Sequence, residues 1–274
     1  MKVPKTTLLN RIKKNLENNL IVVIVWMVIV FLSSLITLSQ GFAMIYNYYN
    51  ETIAYKDNLR EIVENLDPNQ QLHTITDVLG NADLIKEASE NDQGATRAYI
   101  FIKEYFYLQA LTDRANNILA ITVTSRDRDF NPEFEIPALS SSVVLGRSTF
   151  SSVLGDIEGG CFIRIGAHNF SYFEGSYMAN PGNYQSFYIG INDAGYPESW
   201  WKTKGFDGLY DVGMSPDWKE ADGDCSSIPD LYRKNAVVNT FTITAPFVFF
   251  SPKEPYTPDI LFGVNINDVR VIGK

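Results

Sequence analysis

Residues 20–39, LIVVIVWMVIVFLSSLITLS, form a run of twenty residues without a charge. The polar side chains in this run are four hydroxyls, at Ser33, Ser34, Thr37 and Ser39. A helix rises about 1.5 Å per residue, so a helix of this length spans about 30 Å, the thickness of the hydrocarbon core of a bilayer. The run therefore predicts one transmembrane helix.

Charges on either side of this run predict its orientation. Residues 1–19 contain five Lys or Arg residues and one acid, Glu17, whereas Gly41–Asn50 contain no charge. Because Lys and Arg near a span stay cytoplasmic, we expect a cytoplasmic N-terminus and an exported main domain. A signal anchor is favoured over a cleaved signal peptide, whose apolar region is usually about 7–15 residues. Gly41-Phe42-Ala43 is nevertheless a passable cleavage site, so cleavage stays open.

The chain then divides into four predicted parts: a basic cytoplasmic tail (1–19), a transmembrane signal anchor (20–39), a helical stalk (40–66) and an exported domain (67–274). The tail carries +4 of the chain's net −9, so the remainder carries −13. Nucleic acids and anionic lipid headgroups bind basic patches, so a domain this acidic is a poor candidate for either. The predicted partners are the bilayer, through residues 20–39, and an envelope protein.

The predicted stalk has a heptad pattern. Apolar or aromatic residues, interrupted by one threonine, recur at a and d spacing over about three heptads, the minimum for proposing a coiled coil. The register consists of Ile45, Tyr48, Thr52, Tyr55, Leu59, Ile62 and Leu66. This pattern indicates a homo-oligomer formed through the stalk. The alternative is a single helix that leaves the membrane and packs on its own domain.

Residues 67–274 predict an α+β domain in which short helices pack on a mainly antiparallel sheet. Asp67 can cap a helix that buries its apolar residues and ends at Gly80, and residues 83–89 read as a second short helix. From Ala98 to Ser125 the apolar period becomes two, with a turn at 113–117, which predicts a hairpin. Further predicted strands are 142–145, 161–165, 184–192, 237–244 and 261–266.

Two resemblances accompany this pattern. The short helices, Leu79-Gly80, and a hairpin that ends in Val123-Thr124 resemble exported modules of the β-lactamase-inhibitor and outer-membrane assembly lipoprotein type, which bind proteins. Residues 121–127 (ITVTSRD), 145–150 (LGRSTF) and 180–185 (NPGNYQ) resemble uncharacterised bacterial single-pass membrane proteins. The second resemblance implies a bacterial inner (plasma) membrane location with a periplasmic or extracellular domain.

The sequence contains two cysteines, Cys161 and Cys225, both on the predicted exported side. An even number of cysteines in an oxidising compartment predicts a disulfide. The alternative is catalytic, with Cys161 as nucleophile and His168 as its base.

Other chemical motifs are missing from the sequence, which contains no P-loop, G-x-G-x-x-G, H-E-x-x-H or G-x-S-x-G. We therefore expect no cofactor. Asp217, Asp222 and Asp224 surround Gly223 and are calcium candidates, because calcium prefers oxygen ligands in a turning loop. Solvated loop acids are the alternative reading.

Aromatic residues between Phe170 and Tyr188, together with two adjacent tryptophans, indicate a binding surface. The candidate residues are Trp200, Trp201, Tyr177, Asn180, Asn183 and Tyr184. Two neighbouring tryptophans in a loop cannot both be buried by simple alternation, so at least one is expected to be exposed or covered by a partner.

The expected functional class is based on the predicted membrane anchor and on the missing catalytic motifs. We expect a membrane-anchored extracytoplasmic binding, sensing or scaffold protein, more consistent with a non-enzyme. The alternative is an anchored cell-envelope hydrolase that acts on a wall or glycan component through loop acids such as Asp193 or Glu174.

Overall fold

The structure is a computed structural model of the whole chain. It describes residues 5–49, 54–87, 97–136, 139–156, 160–165, 170–177, 184–196, 200–212, 218–219, 224–246, 248 and 262–272. The chain divides into two compact units, Met1–Asp57 and Asn58–Lys274.

The first unit contains one long helix, α1, which runs from Lys5 to Tyr48. Its segment Ile24–Tyr48 has a mean hydropathy of 2.0 and is long and apolar enough to cross a membrane. The hydroxyls in this segment donate to backbone carbonyls three or four residues earlier, as Ser33 does to Ile29 and Ser34 to Val30, both at 2.8 Å. Hydroxyls bonded within the helix lower the cost of placing polar groups in an apolar environment.

Helix α2 spans Tyr55–Glu64 and carries one apolar stripe. Leu59 and Val63 from this stripe are buried in the core of the second unit. Leu59 is also a member of the heptad register. Its burial favours the alternative in which this part of the chain packs on its own domain, while self-association of residues 40–66 remains a prediction.

Helix α3, Leu72–Leu79, buries Leu72, Ile75 and Leu79 and ends at Gly80, as predicted. It starts later than predicted, because the Asp67 carboxylate accepts the Asn69 amide in a turn at 2.8 Å instead of capping a helix. His73 is exposed on this helix.

The predicted helix at 83–89 is wrong, because Leu84–Glu87 is a strand, β1. It pairs antiparallel with β2, Arg97–Ile102. Asp83 prolongs this pairing: its amide donates to the Ile100 carbonyl and its carboxylate accepts the Ile102 amide, both at 2.8 Å. Strand pairing therefore outweighs the local helical pattern.

The described residues form a main sheet of nine strands. Besides β1 and β2, these are β3 (Phe106–Thr112), β4 (Ile118–Ser125), β7 (Cys161–Ile165), β8 (Phe170–Tyr177), β9 (Ser186–Asn192), β10 (Trp218–Lys219) and β11 (Thr240–Thr244). Their order is β1-β2-β3-β4-β11-β9-β8-β7-β10, and every adjacent pair is antiparallel. The predicted hairpin is confirmed as β3 and β4. The predicted α+β class is confirmed by the short helices together with the large antiparallel sheet.

A second sheet pairs β5, Glu133–Ile136, with β6, Ser141–Val144. Short helices complete the unit: α4 (Phe150–Leu154), α5 (Asp230–Asn235), α6 (Ile266–Ile272) and 3-10 segments at Trp200–Lys202, Phe206–Val212 and Asp224–Ser227. The predicted strand at 261–266 is wrong in its described part. Phe262 to Asn265 are irregular, and Ile266 begins α6.

Both faces of the main sheet are covered. The first face carries the large core, to which α2, α3, α4, α5 and the β5–β6 hairpin contribute. The second face is rich in buried threonines on β4 and β11, and Thr122 and Thr242 share a hydrogen bond of 2.9 Å. Residues 262–264 cross this face, held by the Asn192 side-chain amide, which donates to the Phe262 and Val264 carbonyls at 3.0 Å.

The predicted disulfide is confirmed between Cys161 on β7 and Cys225 in the last 3-10 segment. Replacing both cysteines by serine is expected to lower the free energy of unfolding by about 4 kcal/mol, because the bridge closes a loop of 64 residues in the unfolded chain. Denaturant unfolding of the purified full chain, followed by tryptophan fluorescence, measures this loss. Reductant present during unfolding should shift the wild-type midpoint and leave that of the double variant unchanged. Equal midpoints for the two proteins would contradict the prediction.

Candidate functional site

The sequence-predicted binding residues are partly described. Trp201 is 53% exposed in the 3-10 segment Trp200–Lys202, which agrees with the expectation of at least one exposed tryptophan. Tyr184 is half-buried just before β9, and Tyr177 is the last residue of β8. Asn180 and Asn183, and the side chains of Trp200 and Tyr177, lie outside the described structure.

Most aromatic residues between 170 and 188 do not form a surface. They lie on β8 and β9 near the middle of the sheet, where both faces are covered. The buried members are Phe170, Tyr172, Phe173, Phe187 and Tyr188. Gly190 is required opposite one of them, because a Cβ there would lie 2.0 Å from the Phe173 ring.

The acids suggested for hydrolysis have structural contacts. Glu174 is not a loop acid, since it lies within β8 and is 0% exposed. The Asp193 carboxylate accepts the amide of Phe170 at 3.0 Å, next to the first residue pair of β8 and β9. The thiol-nucleophile alternative is wrong, because the sulfur of Cys161 is bonded to Cys225. His168 lies outside the described residues.

The calcium prediction remains untested. Asp217 and Asp222 lie outside the described residues, and Asp224 begins the 3-10 segment that holds Cys225. Within the described ranges, no group of three or more His, Cys, Asp or Glu residues is placed to hold a metal ion.

The most polar feature of the core is a buried ion pair. Arg233 on α5 donates through Nε and Nη2 to the two carboxylate oxygens of Glu174, at 2.7 and 2.8 Å. The Tyr172 hydroxyl donates to Oε1 of the same carboxylate at 2.5 Å. Two parallel bonds from a guanidinium to a carboxylate are among the strongest polar contacts in proteins. They join α5 to β8.

Burial and charge perturb the groups around this pair. Burial raises the pKa of the Tyr172 hydroxyl well above its usual value, and the negative charge of Glu174 raises it further. The pKa of the Tyr232 hydroxyl is raised for the same two reasons. Burial lowers the pKa of Arg233, but the hydrogen bonds and charge of Glu174 outweigh it, so the net direction is upward. The pair is enclosed in the core, so it serves to hold the fold.

An open cavity lies elsewhere on the first face of the sheet, with a volume of about 570 Å³. Its floor is apolar and comes from Ile121 and Val123 on β4 and from Phe241 and Ile243 on β11. Phe134 of β5 lines it and stacks on Phe241, with ring centroids 4.5 Å apart.

The walls of the cavity carry the polar groups. One wall is the end of α2 and the residues after it, Val63 to Leu66, and the other is β5, Glu133 to Glu135. The walls meet where the Glu64 carboxylate accepts the Glu133 amide at 2.8 Å. The polar side chains of the lining are Glu64, Asn65, Glu133 and Glu135, so its charged side chains are all carboxylates.

Sequence reasoning missed this cavity because four segments far apart in the chain supply it. The available signal was the alternation Glu133-Phe-Glu-Ile136, which is typical of a strand with one buried face. That pattern could have placed β5 and its two carboxylates, but it could not have identified the strands on which β5 packs. Comparison with known protein families, curated proteins and solved structures finds no match to this chain.

The ion pair predicts that substitution of Glu174 destabilises the folded protein. Glu174→Gln is expected to lower the free energy of unfolding by about 3–5 kcal/mol, because it leaves the buried Arg233 guanidinium without a counter-charge. Denaturant titration measures the change. Tyr232→Phe is the matched control: the Tyr232 hydroxyl is buried and has no hydrogen-bond partner among the described residues, so its removal should not destabilise. A loss below about 1 kcal/mol for Glu174→Gln would contradict this assignment.

The raised tyrosine pKa values predict how stability depends on pH. Above about pH 10, the unfolded chain loses tyrosine protons that Tyr172 and Tyr232 retain in the folded state. Their contribution is therefore full below about pH 10 and is lost as pH rises further. Burial also raises the pKa of Tyr188, to about 12. Unfolding free energies measured from pH 8 to 11.5 should fall above about pH 10, and Tyr232→Phe should make that fall shallower. An unchanged slope in the variant would contradict the prediction.

Proposed function

We propose that the protein is a membrane-anchored binding protein whose exported domain takes a ligand in the cavity between β4, β11, β5 and the end of α2. The anchor is α1, and the proposed location is the bacterial inner membrane with the second unit outside the cytoplasm. The observation that carries the proposal is the cavity itself, which is open to solvent and has an apolar floor.

Size and construction support this use. Small-molecule sites usually measure about 300–1,000 Å³ and combine apolar surface with a few polar groups. The cavity measures about 570 Å³ and combines an apolar floor with polar walls. Its floor lies on two neighbouring central strands, since β4 and β11 are paired over Thr240–Thr244. A floor held by strand pairing on both sides is largely preformed, which reduces the cost of ordering when a ligand binds.

The described side chains of the lining are apolar, carboxylate or amide. Carboxylates also serve in glycoside hydrolysis, so the proposal of a binding protein rests on the apolar floor and not on the residue types of the walls. Glu174 and Asp193, the acids suggested for a hydrolase, lie outside the lining and make contacts that hold the sheet.

A second surface is proposed for contact with an envelope protein. Trp201 and Leu231 are large apolar side chains that are 53% and 55% exposed. Gly205, four residues after Trp201, packs so closely on α5 that a Cβ there would lie 2.6 Å from the Tyr232 amide nitrogen. The segment that bears Trp201 is therefore held against the helix that bears Leu231. Exposed tryptophan is enriched in protein interfaces. Self-association through residues 40–66 remains part of the proposal.

The cavity predicts binding of a neutral apolar probe. Para-fluorophenylbutanol should bind the full chain in lipid nanodiscs, because its ring and chain can cover the apolar floor. Fluorine NMR line broadening, corrected with empty nanodiscs, measures the binding. Ile243→Trp at the floor and Leu66→Trp at the mouth should each abolish it, whereas Ile85→Trp, on exposed β1, should have no effect. Equal broadening in all four proteins would contradict the proposal.

A further inference from the structure

We propose that the ligand of the cavity is an extended peptide segment of a partner protein, which pairs as an added strand with the free edge of β5. The inference rests on the proposed function and adds the chemical class of the ligand. Two independent observations carry it: the unpaired backbone along that edge, and the apolar floor of the cavity beside it.

The register of β5 and β6 shows which backbone groups face the free edge. In an antiparallel pair, every second residue directs both its amide and its carbonyl away from the partner strand. Glu133 and Val144 lie opposite each other and form such a pair. The Glu133 amide donates to the Glu64 carboxylate at 2.8 Å, away from β6. The Val144 amide donates to the Ser148 hydroxyl at 2.9 Å, away from β5. Glu135, two positions further along β5, therefore also presents its amide and carbonyl to the free edge.

This edge borders the cavity and has open hydrogen-bonding positions. Phe134 and Ile136 are buried and face the sheet, whereas Glu133 and Glu135 are exposed, so their carboxylates lie on the solvent side of β5. Among the described residues, the Glu135 amide and carbonyl have no hydrogen-bond partner, and β5 pairs with β6 alone. Glu64 already accepts the Glu133 amide, so an added strand would pair principally with Glu135. Open amides and carbonyls on a strand edge are a template for a further strand.

The floor and the outer side of β5 determine which side chains the added strand carries. Every second side chain of that strand would point at the sheet, and the others would point at solvent. The inward side chains would meet Val123, Phe241 and Ile243, so they are expected to be apolar. The outward side chains would lie opposite Glu133 and Glu135, where charge complementarity favours Lys or Arg. We therefore expect a segment in which apolar and basic residues alternate.

The same charges disfavour a second copy of this chain as the occupant. If two copies paired through their β5 edges, glutamates of one strand would lie opposite glutamates of the other. Like charges directly opposite each other destabilise a strand pair. A partner segment with basic outward side chains avoids this repulsion.

Three fluorescein-labelled hexapeptides with the sequence Lys-Val-Lys-Val-Lys-Val test the pairing. The first is unmodified, the second is N-methylated at its three lysines, and the third is N-methylated at its three valines. With the lysines outward and opposite the glutamates, the lysine amides face β5 and the valine amides face away. Fluorescence anisotropy of the full chain in zwitterionic nanodiscs, corrected with empty nanodiscs, measures the affinities. Methylation at the lysines should weaken binding about tenfold more than methylation at the valines, since only the former removes bonds to β5.

Two variants at one position separate the backbone from the charge. Glu135→Pro removes the amide at the free edge but keeps the pairing with β6, in which this amide takes no part. It should weaken binding of the unmodified hexapeptide about tenfold. Glu135→Gln keeps the amide and removes the charge, and it should weaken binding no more than about threefold, as expected for an exposed ion pair. Denaturant unfolding followed by tryptophan fluorescence checks that both variants are folded. The methylated peptides test the pairing in the unaltered protein, whatever the stability of Glu135→Pro.

The outcomes distinguish this inference from the proposed function. Binding of para-fluorophenylbutanol together with equal binding of the two methylated hexapeptides, or with binding of no hexapeptide, would overturn the peptide assignment and leave the cavity as a ligand site. Binding of neither the alcohol nor any hexapeptide would overturn both. A dimer of the full chain, seen by mass photometry without peptide and dissociated by Glu135→Pro, would assign the edge to a second copy and overturn the partner segment.

Discussion

Both faces of the main sheet must be kept from water, and most of the architecture follows from that constraint. Strands β3 and β9 are buried along their whole length, as expected for strands covered on two sides. Helices and the β5–β6 hairpin cover the first face, and residues 262–272 cover part of the second. Lys86 on β1 contacts Asp268 on α6 at 2.6 Å, which ties the last helix to the edge of the sheet.

The elements that cover the first face are cross-linked to the sheet in one region and leave a cavity in another. Near β7 and β8, the Cys161–Cys225 bridge and the Glu174–Arg233 pair fix α5 and the segment before it. Near β4 and β11, the end of α2 and β5 meet through one carboxylate-to-amide bond and leave a cavity between them. The region suited to a ligand is therefore the one with fewer cross-links.

The sequence correctly predicts those features of the fold that depend on residues close together in the chain or on residue counts. The β3–β4 hairpin, the strand Cys161–Ile165, helix α3 and the disulfide all follow from periodicity, turn residues or cysteine count. The local pattern of residues 83–89 predicts a helix because it contains no sign of their partner strand, β2. The aromatic run of β8 resembled a surface because burial on two faces removes the usual alternation. The cavity depends on packing among 63–66, 121–123, 133–135 and 241–243, which no single segment encodes.

Hydrogen exchange of the full chain in nanodiscs, with and without para-fluorophenylbutanol, tests most directly whether the cavity is the ligand site. The amides of Asn65, Leu66 and Glu133 lie at its mouth and are bonded at a helix end or to a side chain, whereas those of 121–123 and 241–243 belong to central strands of the sheet. The alcohol is expected to slow exchange at 64–66 and 133–135 and to leave 200–212, which contains Trp201, unchanged. Protection confined to 200–212, or at no segment, would contradict it.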